Sequence, residues 1–135
     1  MAMIAGGDTL DITWSNPALG TGVFWGVAGE AGMYDLGGFR SDDSGMVDGA
    51  GRFINQQNRK AWSFEQIVSN DMGTNMEFEA AVAIAGSQTD TVFTVSNVNG
   101  ATYQGAGTLV GDLKLDGNKS QFTLKLMGGG SLIKQ

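Results

Sequence analysis

Carboxylates are the reactive groups this sequence has in number: 14 Asp and Glu, with no histidine and no cysteine. A Ser-His-Asp or Cys-His nucleophile is therefore impossible, and so is a zinc site built on Cys or His. Asp42, Asp43 and Asp48 supply oxygen ligands of the kind calcium takes, but they lack the EF-hand spacing and a bidentate Glu. They are expected in a solvated loop. The segment GDLKLDGNKS (111–120) has a faint phosphate-loop look. Its spacing is wrong, Asn118 precedes the lysine, and no helix is expected to follow, so a hairpin turn is the better reading. Asn118-Lys119-Ser120 has the form of a glycosylation acceptor, which matters only in a secreted chain. Trp14, Phe24, Trp25, Trp62 and Phe64 are expected to be core more than a sugar platform. No acid/base pair stands out. The expectation is a chain that is not an enzyme, with no metal and no cofactor.

Composition narrows the class further. The 135 residues suit one domain. Charged residues make up 16%, against about 25% in ordinary domains. Glycine is abundant, at 22 residues, which suggests surfaces covered by other chains. The net charge of −6 and pI near 4.3 argue against gripping nucleic acid through its phosphates. An acidic wall would instead let DNA slide past without sticking. The N-terminus MAMIAGGDTL has neither the basic nor the long apolar part of a secretory signal. The longest apolar run, 80–85, is too short to span a bilayer, so no membrane insertion is expected.

These features need elements to position them. Residues 1–9 read as a flexible arm. Leu10, Ile12 and Trp14 alternate with polar residues as a strand does, and Asn16-Pro17 with Gly20 and Gly22 marks a turn. Val23–Ala28 and Met33–Phe39 read as partner strands. Residues 40–60 form a long extended loop rich in aspartate, arginine and amides, of which 52–57 suits a projecting hairpin. Ala61–Ser69 reads as a strand. Thr74 and Glu77 have capping-box spacing, and Phe78, Ala81, Val82 and Ala85 make one apolar stripe. The expected helix covers about 75–85 and stops at Gly86. Thr91–Val98 and Ala101–Thr108 flank the turn Asn99-Gly100. Leu109, Leu113 and Leu115 lead through Asp116-Gly117-Asn118 to a return strand with Phe122, Leu124 and Leu126 inward. The fold class is mainly β: a β-sandwich or open barrel with one short helix, in a single domain spanning 1–135.

The segments LGGFRSDDSGMVDGAGRFINQQNRKAW (36–62) and YQGAGTLVGDLKLDGNKSQFTLKLMGGGSLIKQ (103–135), in this order and with one helix between them, resemble tail tube proteins of contractile-tailed bacteriophages. The resemblance implies hexameric rings stacked into a hollow tube that conducts DNA into the host. It implies a virion protein of the tail, assembled in the bacterial cytoplasm. Its implied partners are itself, a sheath outside, baseplate and terminator proteins at the ends, and DNA in transit. Type VI secretion, bacteriocin and extracellular injection tubes share that architecture. The chain has no room for an appended decoration domain.

On this reading the 40–60 arm reaches a neighbouring subunit through Arg40, Asp42, Asp43, Arg52, Asn55, Gln56, Gln57 and Arg59, with Leu132 and Ile133 adding to ring contacts. Glu65, Asp112 and Asp116 are the candidate lumen carboxylates, because each is expected on a strand face opposite apolar positions. Unpaired sheet edges would be completed by sister subunits. A reading of another class is a monomeric β-sandwich that binds a carbohydrate or small ligand through Trp25 and Trp62.

Overall fold

The computed structural model describes residues 3–29, 32–41, 43–74 and 76–135. The expected mainly β architecture with one short helix is the one observed, with 51% of residues in strands. In chain order the elements are β1 (Thr9–Asn16), β2 (Gly20–Trp25), β3 (Met33–Asp35), β4 (Gly38–Ser41), β5 (Met46–Val47), β6 (Phe53–Ile54), β7 (Gln57–Lys60) and β8 (Trp62–Ser69). They continue with α1 (Glu77–Ala85), β9 (Thr91–Asn97), β10 (Thr102–Leu109), β11 (Gln121–Gly128) and β12 (Ile133–Lys134).

Alternation drives the main sheet. In β8, Trp62, Phe64, Gln66 and Val68 are buried and Glu65 and Ser69 are exposed; in β11, Phe122, Leu124 and Leu126 are buried between exposed Thr123 and Lys125. The antiparallel sheet runs β2-β1-β9-β10-β11-β8-β3, and β12 pairs with β10 off this path. It curls until the chain leaving β2 reaches β8, the strand next to the other margin. Gly26, just past β2, bridges Val68 of β8, and the Val27 N–H donates to the Ile67 carbonyl at 3.0 Å. The far side of β8 is thus shared between β3 and this stitch. The stitch closes the margin at one point; among the described residues β2 itself pairs with β1 alone and β3 with β8 alone, so their outer edges stay open to neighbours.

The barrel interior is filled by Trp62, Phe24, Phe64, Phe93, Ile12, Leu124 and Leu126, all fully buried. Trp62 organises one side. Its indole N–H donates to the Ala106 carbonyl at 3.0 Å. A Cβ at Gly105 would lie 2.9 Å from its ring, so the strand passes the indole only because that position has no side chain.

The helix closes one end, with Ala81 and Ile84 buried and Phe78 edge-on to Phe122 at 5.3 Å between centroids. Its start differs from the expected capping box. Thr74 does not cap it; Asn70 Oδ1 accepts from the Phe78 N–H at 2.9 Å, and Glu77 Oε2 accepts from the Asp71 N–H at 2.6 Å. The stripe is also rotated: Ile84 is buried, whereas Val82 is 48% exposed.

The strand expected from Leu109 to Leu115 is a second difference. β10 ends at Leu109, and residues 110–115 are irregular because Gly111 takes φ +79°. β11 pairs along its whole length with β8 and meets β10 only at Thr108 and Leu109. Leu113 and Leu115 still pack on the core, from a loop.

Candidate functional site: the projecting arm

The 38–60 segment is a hairpin standing off the barrel in two tiers. β4 pairs with β7 in the register Gly38–Lys60, Phe39–Arg59, Arg40–Asn58 and Ser41–Gln57. Beyond them β5 pairs with β6, Met46 opposite Ile54 and Val47 opposite Phe53. None of these four strands pairs with a barrel strand.

A carboxylate fixes each end of the arm. At the root, Asp35 Oδ1 accepts from the Gly37 N–H at 3.0 Å and from the Arg40 guanidinium. Gly37 and Gly38 turn the chain there with φ of +73° and +90°. Gly37 is tightly enclosed, since a Cβ on it would lie 2.6 Å from the Trp62 backbone nitrogen. The Gly37 N–H, followed by the Arg40 charge, holds the Asp35 carboxyl below its ordinary value against a lesser upward push from desolvation.

At the tip, Asp48 Oδ1 accepts from the Ala50 and Arg52 N–H groups, both at 2.9 Å, and Asp48 Oδ2 meets Arg52 Nε at 2.9 Å. The Arg52 N–H leads the causes that hold Asp48 low. Arg59 lies over the Phe39 ring, 5.5 Å from its centroid.

Of the arginines expected to reach a neighbour, Arg40 is paired with Asp35 at the end of β3 and Arg52 with Asp48 in the arm. Asn55, Gln56, Gln57 and Asp43 are exposed along the arm. Asp42 lies outside the described residues. Sequence reasoning missed the arm's apolar side chains: Phe39, Met46, Val47 and Phe53 are each more than half exposed, and Ile54 is 44% exposed. The signal was present as Met46-Val47 and Phe53-Ile54 placed symmetrically about the turn Asp48-Gly49-Ala50-Gly51-Arg52.

The remaining candidates separate. Leu132 is a core residue at 3% exposure, so it faces its own barrel and not a neighbour, while Ile133 is 62% exposed opposite Gln104 of β10. Glu65 is exposed on β8, as expected, in a row with Met33 and Lys125. Asp112 is exposed in the irregular stretch and Asp116 caps a turn, its Oδ1 accepting from the Asn118 and Lys119 N–H groups at 3.0 and 3.2 Å. Neither sits on the strand face expected for it.

The barrel's two outer faces differ in how many charged groups they carry. The β8–β11–β3 face carries Glu65, Lys125 and Asp35. On the opposite face, rows such as Val23–Thr13–Thr94–Gln104 cross β2, β1, β9 and β10, with Asp11 at one end. A cleft of about 710 Å³ lies between Tyr34, Asn97, Tyr103 and Lys134 beside residues 5–7. Tyr34 donates to Asn97 Oδ1 at 2.6 Å there, and burial pushes its phenol up. The ligand-binding alternative loses one of its two rings: Trp62 is fully buried, whereas Trp25 is 44% exposed.

No family model matches this chain, and no curated protein matches it. Among solved structures, it is similar to a chain in the cryo-EM structure of the anti-feeding prophage (AFP) baseplate, 6-fold symmetrised. That likeness has 14% sequence identity and a TM-score of 0.45, and covers 100% of this chain and 97% of that chain. A likeness at this level leaves the reading to the chain's own residues. Those residues point to the arm, where a short ribbon presents large apolar side chains to solvent.

Proposed function

We propose that this chain is a non-enzymatic structural subunit of a contractile tail or injection apparatus. In its finer form, six copies close a ring and rings stack into the inner tail tube of a phage particle, a conduit for DNA. The sheath would lie outside and baseplate and terminator proteins at the ends, with assembly in the bacterial cytoplasm. The observation that carries this reading is the arm, a hairpin whose strands pair only with each other and whose apolar tip is exposed. A monomer gains nothing from such an element, and an assembling subunit does. The ordered sequence resemblance across 36–62 and 103–135 supports the same reading.

Barrel closure changes how assembly would work. The Gly26–Val68 bridge holds the barrel together at one point and leaves the outer edges of β2 and β3 without a strand partner among the described residues, so contacts between subunits run through the arm, the side-chain faces and these edges. For the channel wall, Glu65 remains the candidate on a strand face. Lys125 opposite it makes that wall mixed in sign, not uniformly acidic.

Electron microscopy of the purified chain over a range of concentrations tests the proposal. Hollow polymers or six-fold rings are the expected result. A monomer at every concentration by analytical ultracentrifugation would overturn it.

A further inference from the structure

A small pocket lies between the start of α1 and the β1–β2 hairpin. Its volume is about 240 Å³, and it is lined by Glu77 and Ala80 of the helix and by Trp14, Gly22, Val23 and Phe24 of the hairpin. Glu77 is only 5% exposed. Its Oε2 accepts from the Asp71 N–H, whereas its Oε1 has no hydrogen-bond partner among the described residues. The Trp14 indole N–H likewise has no acceptor among them. Neither atom is sealed in, so each is reachable from outside.

A nearly buried carboxylate needs its charge met. The Asp71 N–H and the helix N-terminus meet part of it. No side chain of the pocket's walls can meet the rest. Lysine and arginine are absent from residues 1–39 and 61–113, which include all of β1, β2 and α1.

The other walls are apolar. The Trp14 and Phe24 rings stack with centroids 6.5 Å apart, and Val23 and Ala80 complete the lining. Gly22 crosses the indole so closely that a Cβ would lie 2.7 Å from Nε1. An indole attracts a cation, and apolar walls favour a hydrocarbon stem behind it. At about 30 Å³ per water-sized group, the pocket takes on the order of eight heavy atoms. That is too few for a nucleotide or a disaccharide.

We propose that this pocket binds a small aliphatic amine, with its ammonium on Glu77 Oε1 and its hydrocarbon stem against Trp14, Val23 and Ala80. The site is independent of self-assembly, because all of its walls belong to one copy.

The test titrates n-butylammonium, and n-butanol as its neutral counterpart, into the full chain at constant ionic strength. Saturation-transfer NMR detects the bound ligand whether the chain is monomeric or polymeric. Butylammonium should bind saturably with a Kd on the order of 1 mM, and butanol at least about tenfold more weakly. Glu77→Gln keeps an acceptor for the Asp71 N–H and removes the charge. It should weaken butylammonium about tenfold or more and leave butanol unchanged. Ala80→Leu keeps Glu77 and fills the pocket, so it should weaken both ligands. Far-UV circular dichroism verifies the fold of each variant. Butanol binding as tightly as butylammonium, or full amine affinity in Glu77→Gln, would overturn the ammonium assignment. Undiminished amine binding in Ala80→Leu would overturn the location. No saturable binding of butylammonium up to about 50 mM would sink the proposal.

Discussion

Asp35 on β3 and Arg40 on β4 form an ion pair across the two left-handed glycines at the root of the arm. The same Asp35 oxygen also accepts from the Gly37 N–H. One carboxylate therefore ties the last barrel residue to the turn and to the first arm strand. It fixes the direction in which the arm leaves the barrel.

Removing that tie should loosen the arm and leave the barrel intact. Asp35→Ala and Arg40→Ala are expected to speed amide exchange in β4 and β7 and trypsin cleavage after Arg52 and Arg59. Near-UV circular dichroism of the tryptophans should stay unchanged. An unaltered cleavage rate would mean that Gly37 packing alone sets the direction.

Acid should act in the same place. Asp35 and Asp48 are both held below the ordinary aspartate value of 3.8. Groups with depressed values contribute stability that is complete above 3.8 and lost as pH falls through their lower folded values. Amide exchange in the root and tip turns, corrected for its intrinsic pH dependence, should therefore show falling protection below that pH. The effect should be weaker in Asp48→Asn at the tip and in Asp35→Asn at the root. Loss of protection that begins near neutrality would point to another group.

The close packing around Trp62 predicts a large stability effect from a small change. A Cβ at Gly128 would lie 2.6 Å from Trp62 Nε1 and 2.9 Å from the Ala106 carbonyl carbon. Gly128→Ala must displace the indole or the strand and break the Trp62–Ala106 hydrogen bond. Overpacking of this kind costs about 1–3 kcal/mol, and a lost buried hydrogen bond adds to it. Urea unfolding should show a lower midpoint with an unchanged slope.

At the helix start, Asn70→Ala removes the acceptor for the Phe78 N–H. Loss of a cap costs about 1–2 kcal/mol. Asn70 Nδ2 has no hydrogen-bond partner among the described residues, so part of that cost is offset when the side chain goes. Thr74→Ala, by contrast, should leave stability within about 0.5 kcal/mol. Thermal melts of the two variants check the ranking.

Because the chain has no cysteine, single introduced thiols report cleanly on the outer faces. In the polymer, Glu65→Cys should be shielded from a bulky maleimide and Thr94→Cys should react. The reverse pattern would move the channel wall to the hydroxyl-rich face.

Local alternation carried most of the fold. β8, β9 and β11 bury alternate residues as their patterning implies, and β10 lies where the Asn99-Gly100 turn put it; in β1 Ile12 and Trp14 are inward, but Leu10 is 47% exposed beside a register shift between Thr9 and Asp11. The Leu109–Leu115 pattern misled because a strand needs a partner as well as alternation. β8 took all of β11, and Gly111 turned the chain away. Thr74 and Glu77 had the spacing of a cap, but tertiary contact supplied Asn70 in its place. The Gly26–Val68 bridge joins residues far apart in the chain and has no local signature. At the arm, the sequence reading did not include the ion pairs of Arg40 with Asp35 and Arg52 with Asp48, although each aspartate lies within five residues of its arginine.

The stitch between Gly26 and Val68 bears on how copies of this protein can go wrong. Crowded β-proteins tangle by trading strands, which requires a loose border that can peel away and be replaced by a stranger's. Here the end of β2 is fastened to β8 by the Gly26–Val68 bridge and the Val27–Ile67 hydrogen bond, so a trade of β2 must first undo that stitch. That leaves the outstretched finger, which pairs its strands with no barrel strand, as the part freest to grasp another copy.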